Sequence, residues 1–132
     1  MRQRVIDASA LAYALLGKTS DAAHLRAALA TTGCHAPHLV DAELGNVLRK
    51  RTRSGDITPM QARTALRVAR GVIDYRYPHC GPLAERAWCM RDNLSFYDAL
   101  YVALATRLDL PLVTGDRRLS NVPDLPCSVE QI

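Results

Sequence analysis

Hydrophobic residues along the chain fall into two patterns, short continuous runs and longer stretches with helical spacing. Short apolar runs predict strands at residues 4–7, 34–37, 72–77, 110–114 and 127–129. Apolar residues spaced three and four apart predict helices at residues 9–16, 20–30, 39–53, 59–70, 82–93 and 95–108. Short apolar strands that alternate with helices are typical of a parallel sheet covered on both faces. We therefore predict a three-layer α/β/α fold with a central, mostly parallel sheet of about five strands.

Residues 58–61 carry the clearest signal for a helix start. Thr58 is a typical N-cap residue, Pro59 takes the first helical position, and Gln61 completes a capping box. We expect the helix that begins here to continue to about residue 70.

The length and composition fit one compact domain. At 132 residues, 48% of them hydrophobic, the chain holds enough apolar material for one core and too little for a second. We therefore predict a single domain over residues 1–132. No apolar run reaches the roughly 20 residues of a membrane span, and residues 1–7 lack the apolar stretch of a signal peptide. We expect a cytoplasmic protein with no membrane contact.

Charge and cysteine content say little about which partner or metal the protein binds. The net charge of +4 suits a phosphate-rich partner, but ordinary soluble surfaces carry a similar excess. Arginine outnumbers lysine, which fits either phosphate recognition by planar guanidinium groups or the codon bias of an arginine-rich genome. The cysteines form no C-x-x-C pair. A zinc site built from Cys34, His35 and His38 would have atypical spacing, so we expect buried, reduced thiols.

Two acidic residues closely follow predicted strands. Asp7 ends the first strand, and Asp116 comes just after the strand at 110–114. In open parallel sheets the functional site lies outside the carboxyl ends of the strands, where the strand order reverses. Asp7 also fits an ordinary N-cap, because aspartate accepts hydrogen bonds from the free N–H groups of a first helical turn. The position of Asp7 alone does not distinguish a functional-site residue from an N-cap.

A third acid, Asp98, lies early in a helix that is apolar on nearly every side. It is the only carboxylate between Ser95 and Thr106. A buried carboxylate costs several kcal/mol unless something compensates it. The alternative is a capping box formed by Ser95 and Asp98, which is compatible with a ligand role.

The fourth acid is Glu43. At helical spacing it shares a face with Asn46 and Lys50, so this helix can present one acid inward and basic groups along its rim. The alternative is that Glu43 is an ordinary first-turn acid and Asp41 the more important residue.

Together, the four acids favour a metal site. Carboxylates that converge without a cation would repel one another strongly. Hard divalent ions prefer oxygen ligands, and Mg²⁺ is held by a few carboxylates together with water and substrate phosphate. Such a site favours in-line attack on a phosphodiester.

At these residues the chain resembles the PIN-domain family, and within it the VapC-type toxins of bacterial toxin–antitoxin pairs. The family pattern D-x-S-A-L matches residues 7–11, and its E-x-x-N-V-L helix matches residues 43–48. Its y-D-A-x-Y-x-A-x-A helix matches residues 97–105, and its T-x-D turn matches residues 114–116. The ordered set spans the whole chain at family-like separations.

The resemblance implies a Mg²⁺- or Mn²⁺-dependent endoribonuclease, a hydrolase that cuts RNA with a metal-activated water and leaves a 3′-hydroxyl and a 5′-phosphate. The metal-binding and catalytic residues would be Asp7, Glu43, Asp98 and Asp116. The supporting polar residues would be Ser9, Asn46 and Thr114. The resemblance also implies a homodimer and a VapB-type antitoxin that docks beside the site and inhibits it. Operator DNA would be bound only through the antitoxin.

Basic residues near these motifs are candidates for contacts with RNA phosphates. The candidates are Arg49, Lys50, Arg117 and Arg118. Basic residues at a helix end also complement the helix dipole. We favour RNA contact for Arg117 and Arg118, and solvent exposure for Arg51 and Arg53.

Other classes of acidic site fit less well. A Mg²⁺-binding phospho-receiver domain needs adjacent acids after strand one and a lysine after its last main strand. Here Asp7 has no acidic neighbour, and arginines follow Asp116. A haloacid-dehalogenase-type phosphatase needs D-x-D, which residues 7–9 do not provide. A non-catalytic PIN-like module that binds RNA or protein stays open.

Overall fold

All strands of the chain run parallel in one sheet, in the order β3-β2-β1-β4-β5. The computed structural model describes residues 1–132. The strands are β1 (Arg2–Ile6), β2 (Thr32–Pro37), β3 (Tyr75–Tyr77), β4 (Leu112–Thr114) and β5 (Val129–Gln131). The helices are α1 (Ala8–Leu16), α2 (Ser20–Ala30), α3 (Leu39–Arg53), α4 (Pro59–Val72), α5 (Pro82–Trp88), α6 (Phe96–Leu108) and α7 (Arg117–Ser120). The predicted α/β class and its five-stranded parallel sheet are confirmed.

The strand order reverses at the centre of the sheet. From β1 the chain adds β2 and β3 on one side, and it later returns to add β4 and β5 on the other. β1 and β4 are neighbours, with Ile6 paired to Val113. The carboxyl ends of β1 and β4 therefore lie side by side, where an open parallel sheet forms its binding crevice.

α6 is the most deeply buried helix. Residues 99–105 are all buried, and the helix packs on β1, β2 and β4. Its alanines let the helix backbone approach the sheet closely. α5 packs against α6, whereas α1 packs against α2, α3 and α4, and these two groups of helices form the outer layers. None of the helices combines the length and the apolar character needed to cross a bilayer.

The helix start predicted at residues 58–61 is confirmed. The Thr58 hydroxyl accepts a hydrogen bond from the Gln61 amide at 3.1 Å, and the Gln61 side chain accepts one from the Thr58 amide at 2.8 Å. Both bonds satisfy amides that lack a partner within the helix, so the start is visible in the sequence.

α4 extends further than predicted. It continues to Val72 and is capped by Ile73, so the predicted strand at 72–77 is confined to Tyr75–Tyr77. Val72 and Ile73 are β-branched and fit a strand, but they also continue the buried stripe through Ala69 at helical spacing. Packing of that stripe therefore outweighs the strand preference of the β-branched residues, and the segment is helical.

α5 is shorter than predicted. It ends at Trp88 rather than near residue 93, because the next amides donate to carbonyls only three residues back and tighten the chain into successive turns. α7 was not predicted, since four residues are too few for a helical period.

The last two strands are also displaced from their predicted positions. β4 begins at Leu112 rather than at residue 110, because the Leu110 amide donates to the Ala105 carbonyl at the end of α6. β5 covers Val129–Gln131 rather than 127–129.

The cysteines are free but differ in exposure. Cys34 is buried, and burial raises the pKa of its thiol to about 11, which keeps it protonated and unreactive. Cys80 and Cys89 are exposed, so the expectation of buried thiols was wrong for them. The ring nitrogens of His35 are hydrogen-bonded to Tyr77 and to Gln3, both at 2.6 Å. Both ring nitrogens of His35 are therefore engaged within the sheet, and neither is free for the zinc site considered from the sequence.

Candidate active site

A cavity opens at the carboxyl ends of β1 and β4, and its volume is about 280 Å³. All four acids predicted from the sequence line it: Asp7, Glu43, Asp98 and Asp116. The other polar residues of its wall are Ser9, Asn46, Tyr101 and Arg118. The structure thus brings together carboxylates from four separate segments of the chain.

Asp7 is held by three hydrogen bonds. Its Oδ1 accepts from the Ser9 hydroxyl at 2.6 Å and from the Ala10 amide at 2.9 Å. Its Oδ2 accepts from the Thr114 hydroxyl. Asp7 is the N-cap of α1, so that interpretation is confirmed. The cap does not exclude a ligand role, because the same carboxylate lines the cavity.

Ser9 and Thr114 join α1 to the turn after β4. While each hydroxyl donates to Asp7, Ser9 Oγ accepts from the Gly115 amide at 2.9 Å and Thr114 Oγ1 accepts from the Asp116 amide at 3.0 Å. Each hydroxyl therefore acts as donor and acceptor at once. The two residues fix the Asp7 carboxylate relative to the backbone that carries Asp116.

Glu43 reaches the cavity from α3. The Tyr101 hydroxyl of α6 donates to its Oε1 at 2.7 Å. Burial raises the pKa of Tyr101, and the negative charge of Glu43 raises it further, so the hydroxyl keeps its proton and remains a donor. Tyr101 is the site residue that sequence reasoning missed. The available signal was a hydroxyl three residues after Asp98 on an otherwise apolar helix.

Asp41 has a different role. The Arg76 guanidinium binds its carboxylate through two bonds of 2.6 and 3.0 Å. The same guanidinium donates to the carbonyls of Ala69 and Ile73 at the end of α4. Asp41 therefore ties α3 to α4 and β3 and does not line the cavity, whereas Glu43 does.

Asp98 lies on the first turn of α6. Its amide donates to the Ser95 hydroxyl at 3.1 Å, which is one half of the capping box considered from the sequence. Burial raises the pKa of the Asp98 carboxyl, and the negative charge of Asp116 raises it further. The Ser95 hydroxyl and the charge of Arg118 offset only part of this.

Asp116 is paired with Arg118. Its Oδ1 accepts from the Arg118 amide at 2.9 Å, which caps α7, and its Oδ2 accepts from the Arg118 guanidinium at 2.8 Å. Arg118 is the one basic side chain that lines the cavity.

The cavity holds more negative charge than its own residues neutralise. Burial raises the pKa values of Asp7 and Glu43, and the charge of Asp98 raises both further. No three acidic, histidine or cysteine side chains stand close enough together to form a complete ligand cluster. The four carboxylates of the wall nevertheless supply oxygen ligands, which suit an ion such as Mg²⁺ that takes few carboxylates and keeps several waters.

The other basic candidates lie outside the cavity wall. Arg49 and Lys50 are exposed on α3, beyond Asn46, and Arg117 is exposed at the start of α7. Arg51, for which we favoured solvent, pairs with Asp56 at 2.5 Å.

Comparisons with known proteins identify the family. The PIN domain model matches residues 4–125. Ribonuclease VapC1 of Mycobacterium tuberculosis is 49% identical over 132 residues, which cover 100% of this chain and 99% of that protein. The chain belongs to the PIN-domain family, in its VapC group. The family resemblance stated from the motifs is therefore confirmed.

Solved structures agree with this VapC-group chain in fold. PAE2754 from Pyrobaculum aerophilum has a TM-score of 0.74 and 27% identity, over 97% of this chain and 89% of that one. VapBC2 from Rickettsia felis bound to a DNA fragment from its promoter has a TM-score of 0.72 and 14% identity, over 98% of both chains. At that identity the second likeness concerns the fold alone.

Proposed function

We propose that this VapC-group protein is a divalent-metal-dependent endoribonuclease and the toxin of a type II toxin–antitoxin pair. The observation that carries the proposal is the convergence of four carboxylates on a cavity lined by one arginine. That charge balance suits a divalent cation and a reaction on a phosphodiester. The 49% identical relative is named a ribonuclease, which supports the same activity.

The residues that would hold the metal are Asp7, Glu43, Asp98 and Asp116, with Mg²⁺ or Mn²⁺ as the ion. When bound, the ion would stabilise charge on the phosphate and lower the pKa of a water molecule. The protein's own part is to keep the four carboxylates in place before substrate arrives.

The surrounding residues have separate tasks in this proposal. Ser9 and Thr114 hold the Asp7 carboxylate, and Tyr101 orients Glu43. Asn46 offers an amide at the cavity wall, and Arg118 offers a guanidinium whose planar fork matches a phosphate. More distant RNA phosphates would meet the exposed side chains Arg49, Lys50 and Arg117.

The test is cleavage of RNA by the purified protein with Mg²⁺ or Mn²⁺ and with EDTA. We expect internal cuts that leave 3′-hydroxyl and 5′-phosphate ends when the metal is present, and none after chelation, because the carboxylates alone repel the phosphate. Cleavage that continues in EDTA would contradict the proposal. RNA binding without any cleavage would favour the non-catalytic module.

We also propose that a VapB-type antitoxin binds a groove between α1, α2 and α4. This groove has a volume of about 370 Å³, and its apolar walls are formed by Leu15, Leu16, Met60, Ala65 and Val68. Met60 is 77% exposed and Val68 47%. Arg26 lines the groove, and Arg63 and Arg67 lie on the adjoining surface. An apolar floor with a basic rim fits an amphipathic segment that carries acidic residues.

Val68→Glu is expected to weaken antitoxin binding at least about tenfold, because it buries a charge in an apolar contact. RNA cleavage should not change. The measurement is co-purification with the product of the neighbouring short open reading frame. The matched control is Leu66→Glu, since Leu66 is 45% exposed on the same helix but does not line the groove. Equal antitoxin binding by both variants would mean that the antitoxin binds outside this groove.

The VapC resemblance further leads us to propose a homodimer that contacts operator DNA only through the antitoxin. The VapBC2 complex with promoter DNA supports this arrangement by analogy of fold. Light scattering gives the oligomeric state, and gel shifts with and without the antitoxin test the DNA requirement.

A further inference from the structure

Arg118 occupies both carboxylate oxygens of Asp116. Its amide binds Oδ1 and its guanidinium binds Oδ2. Asp116 is therefore the one acid of the cavity that already has a cationic partner within the chain. A divalent ion that uses Oδ2 must compete with that guanidinium for the same oxygen.

The competition is weak enough to be reversible. The Arg118 side chain is 85% exposed, whereas that of Asp116 is 25% exposed. Exposed ion pairs contribute little, because water and salt screen them and the long side chain loses freedom when it is held. The guanidinium can thus leave Asp116 while the amide cap, which belongs to the backbone of α7, stays in place.

We propose that Arg118 exchanges between Asp116 and an RNA phosphate, and that this exchange makes metal binding and RNA binding cooperative. The inference rests on the proposed nuclease function. When a divalent ion takes Asp116, the guanidinium is released at the cavity wall for a phosphate. When a phosphate takes the guanidinium, Asp116 is released for the ion. Because linkage is reciprocal, each ligand must raise the affinity of the other by the same factor.

The adjacent residue provides a matched control. Arg117 has the same charge and also belongs to α7, but it forms no ion pair and does not line the cavity. An effect of net charge alone would appear in both arginine variants, whereas exchange at Asp116 would appear only at Arg118.

The first measurement is calorimetric titration of Mn²⁺ into the protein without RNA. Arg118→Gln is expected to bind Mn²⁺ about two- to fivefold more tightly than the parent, which is the range of an exposed ion pair. Arg117→Gln should stay within about 1.5-fold of the parent, since a screened surface charge acts weakly at a distance. Equal Mn²⁺ affinity in Arg118→Gln and the parent would overturn the proposal.

The second measurement is RNA affinity in EDTA and in Ca²⁺, an ion that also takes oxygen ligands. Arg118→Gln should weaken RNA binding about three- to tenfold in Ca²⁺ but less than about twofold in EDTA, because without the ion a phosphate must first displace Asp116 from the guanidinium. Arg117→Gln should weaken RNA binding by the same factor in both conditions. A loss at Arg118 that is equal in both would overturn the exchange.

The measurements distinguish a failure of the proposed nuclease function from a failure of the Arg118 exchange. A parent that binds neither Mn²⁺ nor RNA overturns the nuclease function and this inference together. A parent that cuts RNA with Mn²⁺, beside an Arg118→Gln variant with unchanged Mn²⁺ affinity, overturns the inference alone.

Discussion

Replacing Asp98 with asparagine is expected to lower RNA cleavage at least about 100-fold. Loss of a residue that only supports a metal ligand already costs up to that much, and Asp98 is proposed as a ligand itself. The same change is expected to stabilise the metal-free protein by about 1 kcal/mol, a typical gain when a strained site residue is removed. Both effects have one cause, because the half-buried Asp98 charge faces Asp116 with incomplete compensation. Cleavage assays and thermal unfolding in EDTA measure the two effects.

The gain in stability has a defined pH dependence. The folded-state pKa of Asp98 lies above its ordinary value of 3.8, so the folded parent keeps its proton to higher pH than the unfolded chain does. Asp98 therefore lowers the stability of the parent as the pH rises from 3.8 through the folded-state pKa, and the variant lacks this contribution. The advantage of Asp98→Asn should be smallest at acidic pH and complete at neutral pH.

The control for Asp98→Asn is Asp92→Asn, at an exposed position in the turns between α5 and α6. It should change neither cleavage nor the unfolding temperature. Parental cleavage by Asp98→Asn would remove this residue from the mechanism. Lower stability in the variant would mean that the cavity compensates its charges better than the contacts indicate.

Tyr101→Phe is expected to weaken Mn²⁺ binding about 10- to 100-fold, as does the loss of other residues that orient a metal ligand. The hydroxyl touches Glu43 rather than the reacting atoms, so Tyr101 is a positioning residue. The fold should survive, since the ring stays in place and one lost hydrogen bond costs only about 1 kcal/mol. Calorimetry with Mn²⁺ and thermal unfolding separate these two effects.

A double-mutant cycle makes the Tyr101 prediction specific. In a Glu43→Gln background, Tyr101→Phe should weaken Mn²⁺ binding no further, because the hydroxyl acts through the missing carboxylate. Tyr97→Phe is the control, as Tyr97 lies one turn earlier on α6 and is 59% exposed. Equal losses with and without Glu43 would show that Tyr101 acts on the metal by another route.

The placement of Asp7 and Asp116 was predictable because it depends on local pattern and a general rule. Each acid lies at or just beyond the end of a short apolar run, and parallel strands carry their carboxyl ends to one edge of the sheet. The capping residues Thr58 and Ser95 were likewise visible, since a cap depends on residues only three positions apart.

The direction of Glu43 was not predictable from its helix. α3 has acids on neighbouring faces, and the choice between Asp41 and Glu43 is made by Arg76, which lies 35 residues further along the chain. Such long-range contacts leave no periodic signal in the sequence. The role of Tyr101 was hidden for the same reason, because its partner Glu43 lies 58 residues away along the chain.

The bonds that join Asp7 and Ser9 to Thr114 and Gly115 connect parts of the chain more than 100 residues apart. During translation, a ribosome-bound polypeptide whose β4 has not yet paired with β1 lacks these contacts and has no Asp116 at the cavity. If the proposed activity is toxic, the order of synthesis itself keeps the unfinished toxin harmless. In that case, an antitoxin would need to restrain only molecules whose sheet is complete.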